Sequence, residues 1–99
     1  MALRRETIRK GFVCEYHKIL TIRAEYNASN MDRDNYETLH VTVAVYKDAS
    51  VRLANVDDFI VINTYHFYVG DVGAPRKAEL GDVYDALKDL PAYSGAVNV

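Results

Sequence analysis

A single cysteine, Cys14, is present, so no internal disulfide can form and nothing in the chain calls for an oxidising compartment. Long apolar runs are missing as well. No stretch approaches the roughly 18 apolar residues of a membrane-spanning helix, and the basic segment Met1 to Gly11 lacks the apolar core of a secretion signal. Export by signal peptide and membrane insertion are therefore not expected, and intracellular synthesis is the default. The sequon Asn27-Ala28-Ser29 then reads as an accident of a polar loop. No glycine-rich phosphate loop is followed by Lys and Ser/Thr, and no serine sits in a Gly-x-Ser-x-Gly elbow. Gly70-x-x-Gly73 lacks the rest of a dinucleotide fingerprint, so nucleotide chemistry has no support.

Strong net charge is also lacking. At −2 there is no global attraction to nucleic acid or to an anionic membrane, and neither is expected as a partner. The charge is uneven: Arg4, Arg5, Arg9 and Lys10 crowd residues 1–10, which read as a basic arm, while Glu79, Asp82, Asp85 and Asp89 mark the last quarter. Without aromatic residues interleaved among the arginines, both read as solvated faces.

What is present suits one small globular domain spanning residues 1–99. Hydrophobic residues make up 49% and charged residues 26%, far from the composition of disordered chains. A chain of this length buries roughly two-thirds of its unfolded surface and can fold without metals or disulfides. Even positions from Phe12 to Tyr26 are mostly apolar, the period of a half-buried strand, with an interruption at His17 and Lys18 that implies a bend or corner. Residues 27–35 read as a loop. Leu39, Val41, Val43 and Val45 alternate with His40, Thr42, Ala44 and Tyr46, giving the cleanest strand, and 47–50 read as a turn. Residues 59–69 are β-branched or aromatic almost throughout, which predicts a central strand covered on both sides or packed against a neighbouring subunit. Gly70, Gly73 and Pro75 form a connector. Leu80, Val83, Tyr84, Leu87 and Leu90 then recur at helical spacing, with Asp82 as the expected N-cap and Pro91 as the stop. Residues 92–99 read as a loose tail. The expected fold is α+β: a small antiparallel or mixed β-sheet with one C-terminal amphipathic helix packed on one face.

Cys14, His17, His40 and His66 are ligand types that zinc accepts. Cys14 and His17, however, have opposite strand parity and no second short-spaced ligand pair exists, so no metal is expected. A Cys14–His17 nucleophile pair lacks a helix start or glycine turn to activate the thiol. Asp32, Asp34 and Glu37 lack the spacing and central glycine of a calcium loop, and Asp57-Asp58 diverge on an extended chain. No catalytic, cofactor-binding or metal residue, and no cofactor, is expected. The surplus is aromatic, with eight tyrosines and three phenylalanines. Tyr36, Tyr46, Tyr65 and Tyr68 are weighed between packing in the core or on a sheet face and an assembly interface, where tyrosine gives area and a hydroxyl at low entropic cost.

The run Gly11-Phe12-Val13-Cys14-Glu15-Tyr16-His17-Lys18-Ile19, the β-rich Leu39 to Tyr46 and the closing Val83-Tyr84-Asp85-Ala86-Leu87-Lys88-Asp89-Leu90 carry a resemblance. The chain resembles small proteins encoded in the tail or baseplate region of tailed phages and prophages of Gram-positive bacteria. The resemblance implies a non-enzymatic virion component or assembly factor, made in the host cytoplasm and incorporated in the virion tail. It would act as a homo-oligomer or by docking to a larger phage tail protein, and no catalytic residue is carried over. The alternative is a small phage-encoded regulatory or host-directed binding protein.

Overall fold

The computed structural model describes residues 1–26, 37–68, 74–75 and 79–99. Among these residues five strands form one sheet, antiparallel at every pairing, in the order β4-β3-β2-β1-β5, so the fold is α+β. In chain order the elements are β1 (Leu3–Arg9), β2 (Phe12–Tyr26), β3 (Glu37–Tyr46), α1 (Ala49–Ala54), β4 (Val61–Tyr68), α2 (Leu80–Lys88), a 3₁₀ turn (Pro91–Tyr93) and β5 (Val97–Asn98). The expected loop 27–35 and the Gly70–Gly73 part of the connector lie outside the described residues.

Both ends of the chain correct the sequence reading. Residues 3–9 are an interior strand rather than a basic arm, paired with β2 on one side and β5 on the other. Lys10 and Gly11, with φ of 51° and 80°, make the two-residue hairpin turn between Arg9 and Phe12. A turn with positive φ at both positions matches the twist of the strands it joins. The segment 92–99 is no loose tail. Gly95, at φ 83°, turns the chain into β5, and Ala2 and Val99 exchange two backbone hydrogen bonds of 3.0 Å. The paired backbone, with Leu3 fully buried beneath it, holds two segments whose side chains are mostly exposed or half-buried.

Two bulges set which side chains face which way. Between Arg4 and Thr7, β1 advances three residues while β2 advances two; between Ile19 and Thr21, β2 advances two while β3 advances one. An extra residue reverses the alternation of everything beyond it. The even-numbered apolar run of β2 is thereby divided between the two faces: Cys14 and Tyr16 lie on one, Ile22 on the other. The interruption expected at His17 and Lys18 falls instead at Leu20.

One face carries the main core. Leu3, Ile19, Leu39, Val41, Val43 and Phe67 pack with Val83, Tyr84, Ala86 and Leu87 of α2 and with Tyr93. Among the described residues two short α-helices stand where one was expected, because Asp48, read as part of a turn, caps α1: its carboxylate accepts from the Val51 N–H at 2.9 Å. α2 begins after Glu79, not after the expected cap Asp82, and Glu79 makes no side-chain cap bond. It ends at Lys88, with Leu90 extended ahead of Pro91, as a residue preceding proline prefers.

The phenol of Tyr84 accepts the buried Ile19 N–H at 2.8 Å and donates to the Met1 carbonyl at 3.1 Å. It thus supplies a partner to β2 at the point where β1 begins. Burial, the largest influence, pushes this phenol upward, so it remains a neutral donor and acceptor throughout the ordinary pH range. Tyr84→Phe keeps the ring and orphans the amide. We expect a loss of about 1–3 kcal/mol in chemical denaturation; a change within error would mean that water replaces the hydroxyl.

The strand expected to be central is corrected as well. β4 starts at Val61 and lies at the sheet edge, while Phe59 precedes it and packs edge-on against Tyr46 with ring centroids 6.3 Å apart. Phe59 thereby joins a small aromatic group with Tyr46 and Tyr16, while Ile62 at the strand start stays exposed.

Candidate functional site

Away from α2 the sheet presents its other face. At one end of this face α1 and the following turn lie against β3 at Tyr46. Tyr46 is fully buried; its hydroxyl donates to the Val56 carbonyl at 2.5 Å and its ring meets Tyr16 edge-on at 6.1 Å. Beyond this end, the register of β2, β3 and β4 aligns three rows of side chains: Thr21, Thr42 and Thr64; then Arg23, His40 and His66; then Glu25, Thr38 and Tyr68. The first two rows line an open depression of about 420 Å³.

Within these rows the polar groups bond laterally. Thr21 Oγ1 and Thr42 Oγ1 are 2.5 Å apart, and His40 Nδ1 and His66 Nδ1 are 2.7 Å apart, the two rings standing edge-to-face at 88° with centroids 4.7 Å apart. One imidazole nitrogen must carry the proton and the other the lone pair. The second nitrogen of His40, Nε2, is shut off from solvent and has no aligned hydrogen bond, but Glu25 Oε2 approaches it at 3.1 Å. Arg23 Nη2 lies 3.7 Å from the same carboxylate oxygen.

His17 is a different kind of histidine. It is buried on the covered face, where Nε2 donates to the Arg5 carbonyl at 3.0 Å and Nδ1 accepts from the Tyr93 hydroxyl at 3.0 Å. Cys14 lies on the opposite face and its thiol approaches the Phe12 carbonyl at 3.6 Å, so no Cys14–His17 pair forms. Among the described residues no three His, Cys, Asp or Glu side chains converge to hold a metal ion, and no helix is long and apolar enough to cross a membrane. Asp32, Asp34 and Tyr36 lie outside the described residues.

The interface tyrosines separate. Tyr46 offers no surface, which corrects its place in that group: its ring closes the α1 side of the sheet. Tyr65 is half-buried against the core, its ring 5.8 Å from that of Tyr93. Tyr68, 42% exposed, lies at the end of β4. The histidine pair and the threonine row were missed because nothing local links positions 21 to 26 residues apart; cross-strand register alone joins them.

The chain matches no family model, no curated protein and no solved structure.

Proposed function

We propose that this protein is a non-enzymatic assembly protein that joins a second copy of itself through β4, in keeping with the resemblance of its sequence to small phage tail-region proteins. The observation that carries this reading is the composition of the sheet edge. β4 runs eight residues, Val-Ile-Asn-Thr-Tyr-His-Phe-Tyr, with no Lys, Arg, Asp, Glu or Pro. Among the described residues no strand pairs with its outer side. Edge strands are ordinarily guarded by charge, proline or brevity against pairing with another chain. At the other edge β5 has only two residues. A long uncharged edge at one side and a minimal edge at the other favour a closed dimer over an open array. Two β4 strands pairing about a two-fold axis make one continuous sheet, with α2 as the amphipathic cover of one face in each copy. The exposed Ile62 and Tyr68 add apolar area beside the backbone bonds.

Light scattering over a wide concentration range is expected to give a closed dimer. Ile62→Lys, at a side chain 42% exposed, introduces repelling charges at the junction and is expected to give a monomer with unchanged circular dichroism. A wild-type protein monomeric at all concentrations overturns the proposal and favours the host-directed binding alternative, in which the same edge receives an extended segment of another protein.

A further inference from the structure

We propose that His40 and His66 form a two-nitrogen site for a divalent transition metal, Cu(II) above all, with Glu25 as the positioning residue. Of the three histidines, His17 has both ring nitrogens occupied in the covered core and is unavailable as a ligand. The other two bring Nδ1 against Nδ1 at 2.7 Å on neighbouring strands. Two nitrogens bound at metal–nitrogen distances of 2.0–2.1 Å stand roughly 2.9 Å apart in cis positions of a square plane and roughly 3.3 Å apart on a tetrahedron. Both exceed the 2.7 Å of the hydrogen-bonded pair, so the rings must open to admit an ion, least for the square-planar arrangement that Cu(II) and Ni(II) prefer, and Cu(II) binds nitrogen ligands most strongly among the first-row divalent ions.

The tautomer is also prepared. A ligating imidazole commonly has its other ring nitrogen held by a carboxylate, which fixes the ring and raises its basicity. The Glu25 carboxylate stands in that relation to His40, 3.1 Å from Nε2, and favours the proton there, leaving the Nδ1 lone pair directed at His66. In the metal-free pair the Nδ1–H of His66 donates to that lone pair. On metal binding His66 moves its proton from Nδ1 to Nε2, the two rings swing until both lone pairs meet the ion, and both bind as neutral imidazoles without net proton release. Water completes the coordination from the open depression, beside Thr42 and Thr64. Arg23 is the opposing charge nearby, and its contact with Glu25 at 3.7 Å offsets it in part. The register holds both strands in place before the metal arrives, so little ordering is left for binding to require.

The test is titration of chelator-stripped protein with Cu(II) alone, followed by calorimetry and electron paramagnetic resonance. The expected result is one ion per chain with a spectrum showing two imidazole nitrogens. His66→Ala, at an exposed edge position, is expected to abolish that signal. Glu25→Gln is expected to keep both nitrogens in the spectrum while weakening binding by roughly 10- to 100-fold. Circular dichroism checks that each variant folds, and His66→Gln replaces His66→Ala if the latter does not. One-nitrogen or sulfur coordination in the wild type, or an affinity unchanged in folded His66→Ala or His66→Gln, overturns the proposal. Because the readout is the metal's own spectrum, it is independent of whether β4 also joins two copies.

Discussion

Truncating Leu87 to alanine is expected to lower the unfolding free energy by about 2–5 kcal/mol. α2 is nine residues long, shorter than helices that persist alone in water, so it exists because it is packed. Its grip on the sheet comes from Val83, Tyr84, Ala86 and Leu87, and Leu87 is fully buried against the cluster that includes Leu39, Val41 and Val43. Removing its three terminal carbons forfeits their transfer free energy and leaves a cavity at the seam between helix and sheet. The helix can close that cavity only by shifting, which the hydrogen bonds from its own Tyr84 to the Ile19 N–H and the Met1 carbonyl resist. In a domain whose total stability is of order 5–15 kcal/mol, such a loss brings a large fraction of molecules near unfolding. Urea denaturation should show the midpoint falling with little change in slope. Leu80→Ala is the control: Leu80 belongs to the same helix but is 44% exposed, and its truncation is expected to change stability by no more than about 0.5 kcal/mol. If the two variants behaved alike, α2 would not be the element that seals the core. Measurements at one fixed protein concentration keep self-association from shifting the midpoint.

Local pattern carried the reading as far as local pattern determines structure. The alternation from Leu39 to Tyr46 was legible because β3 has no bulge opposite β4, and Leu39, Val41 and Val43 reach the core as their period implies. In β2 the same logic misled, since Leu20 adds a residue and sends apolar even positions to both faces. β1 was obscured by its arginines: Leu3 alone is buried in it, and what makes it a strand is its ladder with β2 and β5 rather than an apolar face. Strand order is not written in any local period, so residues 59–69 gave no sign that β4 is an edge. The same holds for the site. Glu25, His40 and His66 are brought together by two antiparallel registers, and a β2 without the extra residue at Leu20 would place Glu25 on the other face.

Lowering the pH from neutrality is expected to destabilise the fold through His17. Burial is the first cause that holds this imidazole below its ordinary value of 6.5; the positive charges of Arg9 and Arg5 act in the same direction, and the bond to the Arg5 carbonyl opposes them in part. The folded state therefore prefers neutral His17, with the proton on Nε2 facing the Arg5 carbonyl and the Nδ1 lone pair receiving the Tyr93 hydroxyl. Burial and the neighbouring Tyr65 raise the Tyr93 phenol, so it stays a donor at every pH of interest. In the unfolded chain His17 takes up a proton near 6.5, whereas in the folded chain it does so only at lower pH. Its contribution is thus fully present above 6.5, declines as the pH falls from there toward the folded value, and is constant below it. One proton limits the slope to about 1.4 kcal/mol per pH unit. The bulge at Arg5–Glu6 turns the Arg5 carbonyl to this histidine, so protonation competes with the local path of β1 and with the seat of the 3₁₀ turn. His17→Gln, neutral at every pH, is expected to be less stable at pH 7 and to lose this component of the acid slope. Tyr93→Phe leaves the Nδ1 acceptor buried without a donor, at about 1–3 kcal/mol. If the acid slope of the wild type persisted unchanged in His17→Gln, the proton would be taken up elsewhere, and the buried histidine would be a packing group whose charge state the fold does not sense.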